Sequence, residues 1–570
     1  TTAGNNTAVG RSALAANTTG SSNVAVGYQA LDAGNANDNT AIGYLALTAN
    51  TTGGSNVAVG SQALEANTTA AQCVAVGNQA LEANTTGLYN VAVGSQALQS
   101  NTDGTLNTAV GLQALEANVS GQKNAAFGTE ALQANLASNN SAFGRRALKA
   151  NTTGTELTAV GQGALESNTT ASSCTAVGSN ALNLNTTGLY NTAVGGVALT
   201  SNTDGNNNVA VGYQALDSNV SGSDTVAIGK GALQAFTGSS SQGGSVGVGR
   251  DALYSLTTGE NNVAIGEVAG YSITTGNNTI SIGFKALYAN TANDNTAVGH
   301  QTLQANTTGD SNVAIGRDAL TANTTASQNT AVGAYALDEC TTGSQNTAVG
   351  REALDGVTNG DYNTGIGRNA GYEITTGNHN VVIGRNAGNT LTTGGYNILI
   401  GNGNASAASD NSAQITIGTD LTGKGSYYTT FGTNANGKVY NYYPSNATWT
   451  RESDERLKKD ILTNTDCGLD FIKDLRTVTY KWKAPSERPE EFNSYDASKT
   501  EPVHKEKMYG FIAQEVKSVL DKHNITDFNG WTVDDEGVQG ISYEMFVMPL
   551  IKAVQELSAE VEQLKSQINN

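Results

Sequence analysis

Residues 56–70, NVAVGSQALEANTTA, contain a unit whose variants recur through most of the chain. The glycine that closes each NVAVG-like segment marks the period, and 25 such glycines from Gly10 to Gly418 give 24 intervals averaging 17 residues. Leu lies four residues after the glycine in 20 of the 23 turns from Gly10 to Gly384. The other three turns have glycine there, namely Gly270, Gly371 and Gly388. A unit this short cannot enclose a core alone, so each one must stack on its neighbours.

The local pattern of the repeat predicts a short strand in each unit. Val57 and Val59 fall on one face of that strand and Ala58 on the other. We expect the repeated Gly and Asn residues at the corners, where the chain needs positive φ or tight turns. The sequence therefore predicts a mainly β fold, a parallel β-solenoid or β-roll of about 25 coils of 17 residues with Ala, Val and Leu inside.

Rare residues divide the chain into regions. Every Pro, Trp and Met lies at or after Pro444. Residues 1–452 carry 15 basic and 27 acidic groups, whereas residues 453–570 carry 15 and 22 in a quarter of the length. We predict a repetitive solenoid shaft over 1–418, an aromatic-rich foot and linker over 419–452, and a separate domain over 453–570.

Composition also excludes several classes of function. The net charge of −19 argues against a nucleic-acid partner, which needs a basic face. No run of 18 apolar residues occurs, so no membrane insertion is expected. The widely spaced Cys and His residues predict neither a metal site nor a cofactor: Cys73, Cys174, Cys340, Cys467, His300, His379, His504 and His523. The chain begins in mid-pattern without Met, which suggests a missing N-terminal part.

The repeat resembles the head of trimeric autotransporter adhesins over roughly residues 5–418, through its A-V/I-G triplets. Because its interior residues are small, each coil buries little apolar surface. We therefore expect coils of separate chains to pack together. The resemblance implies a parallel homotrimer with three rolls side by side. The longer period and the Asn-Thr-Thr-Gly corner depart from the adhesin motif, and the adhesin membrane anchor is missing.

Two further motifs lie near the C-terminus. SDERLKKDI at residues 453–461 and YGFIAQEV at residues 509–516 resemble, in order and spacing, the intramolecular chaperone of bacteriophage tail spikes and fibres. That family is peptidase S74, and the resemblance covers residues 453–570. It implies a domain that brings three chains together, nucleates the β-rich shaft and then cuts itself off.

The resemblance also implies specific roles for residues. Ser453 would be the nucleophile, Lys458 its base, and Glu452-Ser453 the scissile bond; some relatives keep the domain attached. The other motif residues are Asp454, Arg456, Gly510, Phe511, Gln514 and Glu515. On the residues alone, Ser453 and Asp454 equally suit a helix N-cap, with Arg456, Lys458 and Lys459 as a solvated face. A serine hydroxyl needs a neighbouring base, and a lysine can serve if burial lowers its pKa.

The last segment has an apolar seam with spacings of 4, 3, 4, 3 and 4 residues, formed by Leu550, Val554, Leu557, Val561, Leu564 and Ile568. This a/d pattern predicts a coiled-coil helix. The alternative is an amphipathic helix packed on its own domain.

Two features are candidates for receptor contact. Arg351, Arg368 and Arg385 follow the marker glycine in three successive coils, and such a ladder suits an acidic glycan; the alternative is a solvated row offset by Glu352. Residues 427–449 hold seven aromatics, among them Tyr442, Tyr443 and Trp449. These rings suit a sugar, but they equally suit a plug at the end of the solenoid.

These features favour a trimeric phage tail fibre for host-cell attachment, made in the host cytoplasm and located in the virion. The expected partners are a second and third copy of the chain, a host cell-surface glycan or protein receptor, and other tail proteins bound through the missing N-terminal part. The only enzymatic activity considered is self-cleavage by a serine peptidase in cis, with none on external substrates. The alternatives are a glycan-degrading tail spike, which needs paired carboxylates in a groove, and a bacterial adhesin shaft.

Overall fold

The computed structural model describes residues 3–238, 244–435, 437–444, 450–451, 455, 458–490, 495–502, 506–534 and 537–569. By its internal contacts the chain forms two compact units, Thr1–Glu452 and Ser453–Asn570. No helix in the described ranges is long and apolar enough to cross a membrane.

The first unit is built on one sheet with one strand per repeat. The strands are β1 Thr7–Val9, β2 Val24–Val26, β3 Thr40–Ile42, β4 Val57–Val59, β5 Val74–Val76, β6 Val91–Val93, β7 Thr108–Val110, β8 Ala125–Phe127, β9 Ser141–Phe143, β10 Thr158–Val160, β11 Thr175–Val177, β12 Thr192–Val194, β13 Val209–Val211, β14 Val226–Ile228, β15 Val246–Val248, β16 Val263–Ile265, β17 Ile280–Ile282, β18 Thr296–Val298, β19 Val313–Ile315, β20 Thr330–Val332, β21 Thr347–Val349, β22 Thr364–Ile366, β23 Val381–Ile383, β24 Ile398–Ile400 and β25 Ile415–Thr419.

Each of these strands pairs in parallel with the strand of the next repeat, and equivalent residues align, as Val57 does with Val74. Strand β26 (Tyr428–Thr433) continues the parallel stack on β25. Strands β27 (Gly437–Tyr442) and β28 (Thr450–Arg451) then return antiparallel. The predicted parallel β-solenoid, with about 25 turns 17 residues apart, is confirmed.

The interior of the solenoid holds alanine and leucine. The middle residue of the strand, such as Ala58, is fully buried, as are Ala63 and Leu64 in the segment after the marker glycine. Val57 and Val59 lie on the outer face of the sheet and are only partly buried. The expectation that strand valines fill the interior is therefore wrong, because the narrow coil leaves room opposite the leucine only for a small side chain.

The repeated asparagines do not take positive φ, so that part of the expectation is wrong. The expected tight turn is present at the corner asparagine, where Asn67 Nδ2 donates to the carbonyl oxygen of Ala70 at 3.1 Å. Asn56 is buried, its N–H donates to Asn39 Oδ1 at 2.9 Å, and its Nδ2 donates to the carbonyl oxygen of Ala70 at 2.9 Å. Positive φ occurs instead at residues such as Gln62 (57°) and Leu64 (51°). Buried asparagines thus form ladders that satisfy backbone groups of the coil interior.

The marker glycine does need its missing side chain. Gly60 has a φ of 139°, which side chains rarely adopt. A Cβ there would overlap the carbonyl oxygen of Gly77 in the next turn. Both constraints recur along the stack and explain why glycine closes each strand.

The three turns that lack leucine show how the interior is filled. Gly371 takes the leucine position with a φ of 66°, and Ile374 replaces the usual asparagine and is fully buried. A Cβ on Gly371 would lie 3.0 Å from Ile374 Cδ1. The same exchange occurs in the other two turns, where the pairs are Gly270 with Ile273 and Gly388 with Leu391.

The second unit is a small α+β region. Its elements are α1 Leu469–Asp474, β29 Val478–Tyr480, a 3-10 turn Pro485–Glu487, β30 Met508–Gly510, α2 Ala513–Lys522, β31 Trp531–Val533, β32 Gln539–Ile541, a 3-10 turn Tyr543–Phe546 and α3 Val547–Ile568. Strands β29 and β30 pair antiparallel, and so do β31 and β32. Its core consists of Cys467, Phe471, Val516, Leu520, Ile525 and Phe546. The predicted α+β region that ends in a long helix is confirmed.

Candidate functional site

The predicted cleavage segment lies largely outside the described residues, which leaves out Glu452, Ser453, Asp454 and Arg456. Lys458 is described and exposed, and its backbone N–H donates to the carbonyl oxygen of Glu455 at 3.0 Å. A nucleophile and base at Ser453 and Lys458 therefore remain a prediction.

The second motif runs from strand β30 into helix α2 and contacts the 3-10 turn that precedes α3. A Cβ on Gly510 would overlap the hydroxyl of Tyr543, so glycine is needed for this close approach. The N–H of Phe511 donates to Tyr543 Oη at 3.1 Å, and the two rings stack 5.8 Å apart. The Phe511 ring also lies 5.1 Å from the ring of Phe546. Gly510 and Phe511 thus serve the packing of this unit.

The remaining motif residues lie on helix α2. Glu515 forms an ion pair with Arg476, with 3.0 Å between Arg476 Nε and Glu515 Oε2. Hydrogen bonds from the guanidinium lower the pKa of Glu515. Gln514 is exposed on the same helix. The ion pair ties α2 to the segment after α1, a structural task that the motif alone does not reveal.

Helix α3 has two distinct faces. Pro549 and Ala553 are buried, and α3 packs on α1. The predicted seam lies on another face, and its six side chains are 41% to 82% exposed: Leu550, Val554, Leu557, Val561, Leu564 and Ile568. The helix therefore packs on its own unit without covering the seam.

Glu556 fixes the docked face of α3. Its Oε2 accepts a hydrogen bond from the N–H of Leu469 at 2.6 Å, at the first residue of α1. This backbone hydrogen bond lowers the pKa of Glu556, and Lys552 Nζ lies 3.3 Å from its Oε1. The sequence alone does not reveal this contact, because Leu469 is 87 residues from Glu556 along the chain.

An apolar cavity of about 280 Å³ lies where the seam begins. Ile472, Leu475, Phe511, Phe546 and Leu550 are among its lining residues. Leu550 thus belongs to both the cavity and the exposed seam, so the apolar surface is continuous from one to the other.

The arginine ladder on the shaft has the predicted alignment. The carbonyl oxygens of Arg351 and Arg368 accept hydrogen bonds from Asn369 and Asn386 of the following turns, both at 2.9 Å. All three guanidinium-bearing side chains, with Arg385 the third, are exposed. Arg351 Nη2 lies 2.6 Å from Glu352 Oε1. The row is thus exposed and partly offset by a neighbouring carboxylate.

The aromatic foot is only partly described, since Trp449 lies outside the described residues. The rings of Tyr442 and Tyr428 lie 4.8 Å apart, which makes Tyr442 a packing residue between β26 and β27. Tyr443 is exposed, although its hydroxyl accepts a hydrogen bond from Thr429 at 2.7 Å.

Comparison with known proteins bears on the second unit. Residues 453–525 match the family model of peptidase S74, described as the chaperone of endosialidase. This match includes both motifs and ends before helix α3. No curated protein matches the chain. The match to peptidase S74 at residues 453–525, in a chain that also contains a solenoid of about 25 turns, is consistent with a phage tail fibre-like protein.

Proposed function

We propose that this chain is the shaft and C-terminal chaperone of a homotrimeric viral tail fibre that attaches to host cells. The observation that carries the proposal is the chaperone-of-endosialidase match at residues 453–525, next to a solenoid of 17-residue turns. The C-terminal unit drives trimerisation and folding and then separates from the shaft. The fibre is located in the virion and is made in the host cytoplasm.

The exposed seam of α3 supports trimerisation by the C-terminal unit. Six apolar side chains at a/d spacing lie on a helix whose other face already packs on its own unit. A coiled coil with two further copies of α3 would remove this surface from water. Leu550 of the seam also lines the apolar cavity, so the cavity would extend the apolar surface of this coiled-coil contact.

The outer face of the solenoid sheet supports lateral packing of shafts. Its last strand position is a row of apolar side chains, most of them β-branched, and many of these are exposed in the single chain, including Val76, Val93, Ile228, Ile265 and Ile315. A continuous apolar row of this kind is typical of a protein interface. Three copies would bury it along the whole shaft.

Self-cleavage would proceed through an ester. Ser453 Oγ attacks the carbonyl carbon of Glu452 while Lys458 Nζ accepts the hydroxyl proton. The peptide C–N bond breaks, and the proton passes to the leaving amino group of Ser453. Water then hydrolyses the ester, which leaves a carboxylate on Glu452 and restores the hydroxyl of Ser453.

A lysine serves as a general base only where loss of water lowers its pKa. Lys458 is exposed in the single chain. Trimer assembly would therefore have to bury Lys458, so that cleavage follows trimerisation.

A denaturing gel of the expressed chain tests the cleavage directly. We expect the wild-type chain to yield a fragment of 118 residues, 453–570, and Ser453→Ala and Lys458→Ala to remain whole. Lys459→Ala is the matched control and should be cut normally. A wild-type chain that stays intact after assembly would contradict cleavage, whereas its mass in solution tests trimerisation separately.

A deletion tests the chaperone role. Adjacent coils resemble each other, so a slip by one repeat between chains costs few contacts, and a non-repetitive domain is needed to set the register. We expect expression of residues 1–452 alone to give aggregated or misregistered shafts, whereas removal of 453–570 after assembly leaves them intact. Well-formed trimers from the shortened gene would refute the role.

Host attachment would use exposed side chains of the shaft and foot to bind a host glycan or protein. Tyr442, Tyr443, Trp449 and the ladder of Arg351, Arg368 and Arg385 are the candidates from the sequence. Alanine at Tyr443 or Arg368 should lower adsorption to host cells without lowering the melting temperature, if these residues contact a receptor. Other tail proteins of the virion are further proposed partners.

A further inference from the structure

One corner of the solenoid carries a column of exposed side chains, one per turn, which we call the corner column. It consists of the residues five positions before each marker glycine, and of Tyr427, five positions before Gly432, which aligns with Gly418. His379 and Tyr396 belong to it, with φ of 57° and 62°. Their N–H groups donate to the carbonyl oxygens of Asp361 and Asn378 at 3.0 and 2.9 Å. The repeated hydrogen bond aligns successive members of the column.

Three aromatic rings stack in this column near the end of the shaft. The ring of His379 lies 4.7 Å from that of Tyr362 and 4.7 Å from that of Tyr396. The interplanar angles are 6° and 14°. Each ring thus covers a face of the next, at the spacing of the turns.

The stack stops at Ala413 and the column resumes with an aromatic residue. The N–H of Ala413 donates to Gly395 O at 2.9 Å, and that of Tyr427 donates to Ser412 O at 3.1 Å. Both residues keep the positive φ of the column, 54° and 66°. Tyr396 and Tyr427 are therefore two turns apart in one column, with a single methyl group between them.

The exposure of the rings shows which side is open. Tyr362 and Tyr396 each stack on His379 with one face, but Tyr396 is 66% exposed and Tyr362 only 52%. The free face of Tyr396 is the one toward Ala413. Tyr427, on the far side of Ala413, is 51% exposed.

The width of this gap suits a saturated ring. Two steps of the observed 4.7 Å spacing give about 9.4 Å between the positions of Tyr396 and Tyr427. A flat guest in contact with two rings needs only about 7 Å, whereas a puckered six-membered ring at carbon contacts of about 3.5–4 Å on both faces needs about 9 Å. Tyrosine hydroxyls and the exposed Asp410 supply polar groups nearby for ring hydroxyls.

We propose that Tyr396 and Tyr427 form the walls, and Ala413 the floor, of a slot that binds one pyranose ring of a bacterial surface polysaccharide. Aromatic faces pack on the C–H faces of a sugar ring, while the sugar hydroxyls remain at the rim. The source of the sugar rests on the attachment function proposed above, but the binding itself does not. None of these three slot residues belongs to the arginine ladder, whereas Tyr427 is the first of the seven aromatics of the foot.

Filling the slot is the sharpest test. Ala413→Tyr places a ring at a position whose neighbours in the column already hold tyrosine at the same φ, so it should extend the stack and keep or raise the melting temperature. Tyr396→Ala removes one wall. Binding of the purified full chain is measured on an array of bacterial capsular and lipopolysaccharide glycans. Saturation-transfer NMR with the methyl glycosides of glucose, galactose, N-acetylglucosamine and rhamnose is the second measurement.

We expect the wild-type chain to bind at least one glycan, Ala413→Tyr to lose that binding, and Tyr396→Ala to weaken it by about tenfold or more. Gln345→Tyr, which adds a ring beyond Tyr362, and Tyr190→Ala, which removes an exposed tyrosine elsewhere in the column, are the matched controls and should bind as wild type. Binding retained by Ala413→Tyr, or a wild-type chain that binds no saccharide, would overturn the slot.

Adsorption to a panel of bacterial strains separates this proposal from host attachment. Equal adsorption of the wild type and Ala413→Tyr contradicts the slot and leaves attachment in place. A chain that adsorbs to no strain, yet binds a glycan that Ala413→Tyr does not bind, contradicts attachment and supports the slot. If Ala413→Tyr does not fold, Tyr396→Ala provides the same comparison.

Discussion

The shaft and the C-terminal unit bury apolar surface in opposite ways. In the shaft one solution repeats every turn, with residues such as Ala58 and Leu64 buried by the turns before and after. In the C-terminal unit the core residues follow no repeat, and Phe471 packs on Phe528 and Phe546. The unit that varies also leaves the six-residue apolar seam of α3 exposed. Repeated turns stabilise the stack but do not set the register between chains. A unit without repeats can set that register, although it is small.

The largest expected effect tests how strictly the shaft depends on its marker glycine. Gly195→Ala forces a side chain onto a φ of 139° and against the carbonyl oxygen of Gly212 at 2.5 Å. We expect a loss of about 3 kcal/mol or more of stability, measured by thermal melting and by proteolysis near this turn. Gly196→Ala is the adjacent control, since its Cβ would meet only Tyr213 at 3.5 Å. Similar losses from both changes would contradict this role of the marker glycine.

A charge in the seam tests the proposed assembly of the varied unit. Leu557→Glu should reduce the mass in solution from three chains to one chain of 58.4 kDa, measured by light scattering in a Ser453→Ala background. The single chain should stay folded, because Leu557 is already 48% exposed. Ser558→Glu, next to it and also exposed, is the control. An unchanged trimer would show that the seam is not the interface.

A double substitution tests the filling rule of the repetitive core. Asn101→Leu should cost about 2 kcal/mol, because it removes the 2.7 Å hydrogen bond from Asn101 Nδ2 to Asn84 Oδ1 and leaves that buried oxygen without this donor. Leu98→Gly should cost about 3 kcal/mol, through a cavity. Together they reproduce the Gly371 and Ile374 arrangement, so we expect them to recover at least about 1 kcal/mol in a double-mutant cycle. If the double variant loses the sum of the two single losses of stability, the proposed exchange between these two positions is disproved.

The smallest expected effect concerns the carboxyl group of Asp355, which lies near other acidic side chains of the shaft. Burial, followed by repulsion from Asp338, Glu339 and Glu352, raises the pKa of Asp355 from 3.8 to about 7. Its Oδ1 is buried without a hydrogen-bond partner. Between pH 4 and 7 the folded chain thus binds more protons than the unfolded chain, so this group makes stability fall as pH rises through that window.

Asp355→Asn removes that dependence. We expect the melting temperature to rise by about 1–3 °C at pH 8 and to change little at pH 4, measured by calorimetry across the range. The exposed Asp310→Asn is the control and should leave the profile unchanged. An identical pH profile for Asp355→Asn and the wild type would contradict the assignment.

Much of the fold could be predicted because the repeat is regular. The period from Gly10 to Gly418 and the alternation around Ala58 predict the strands, and the structure confirms them. The two motifs similarly predict the S74 region that the family match confirms. The roles of Gly510 and Glu515 could not be predicted, because their partners Tyr543 and Arg476 lie more than 30 residues away along the chain. The proposed roles of Ser453 and Lys458 still depend on the motif alone.

The sequence by itself determined the period of the solenoid, the placement of one strand and one glycine in each turn, and the presence of a seam in the last helix. Each of these is a local property, set by residues within one or two turns of one another. Only the tertiary structure decided which side of the strand is inside, that the asparagines are buried, which face of α3 is docked, and that the backbones of Tyr396, Ala413 and Tyr427 align in successive turns. Alternation creates two faces but does not choose between them; the choice depends on the space left by neighbouring turns and on partners distant in the chain.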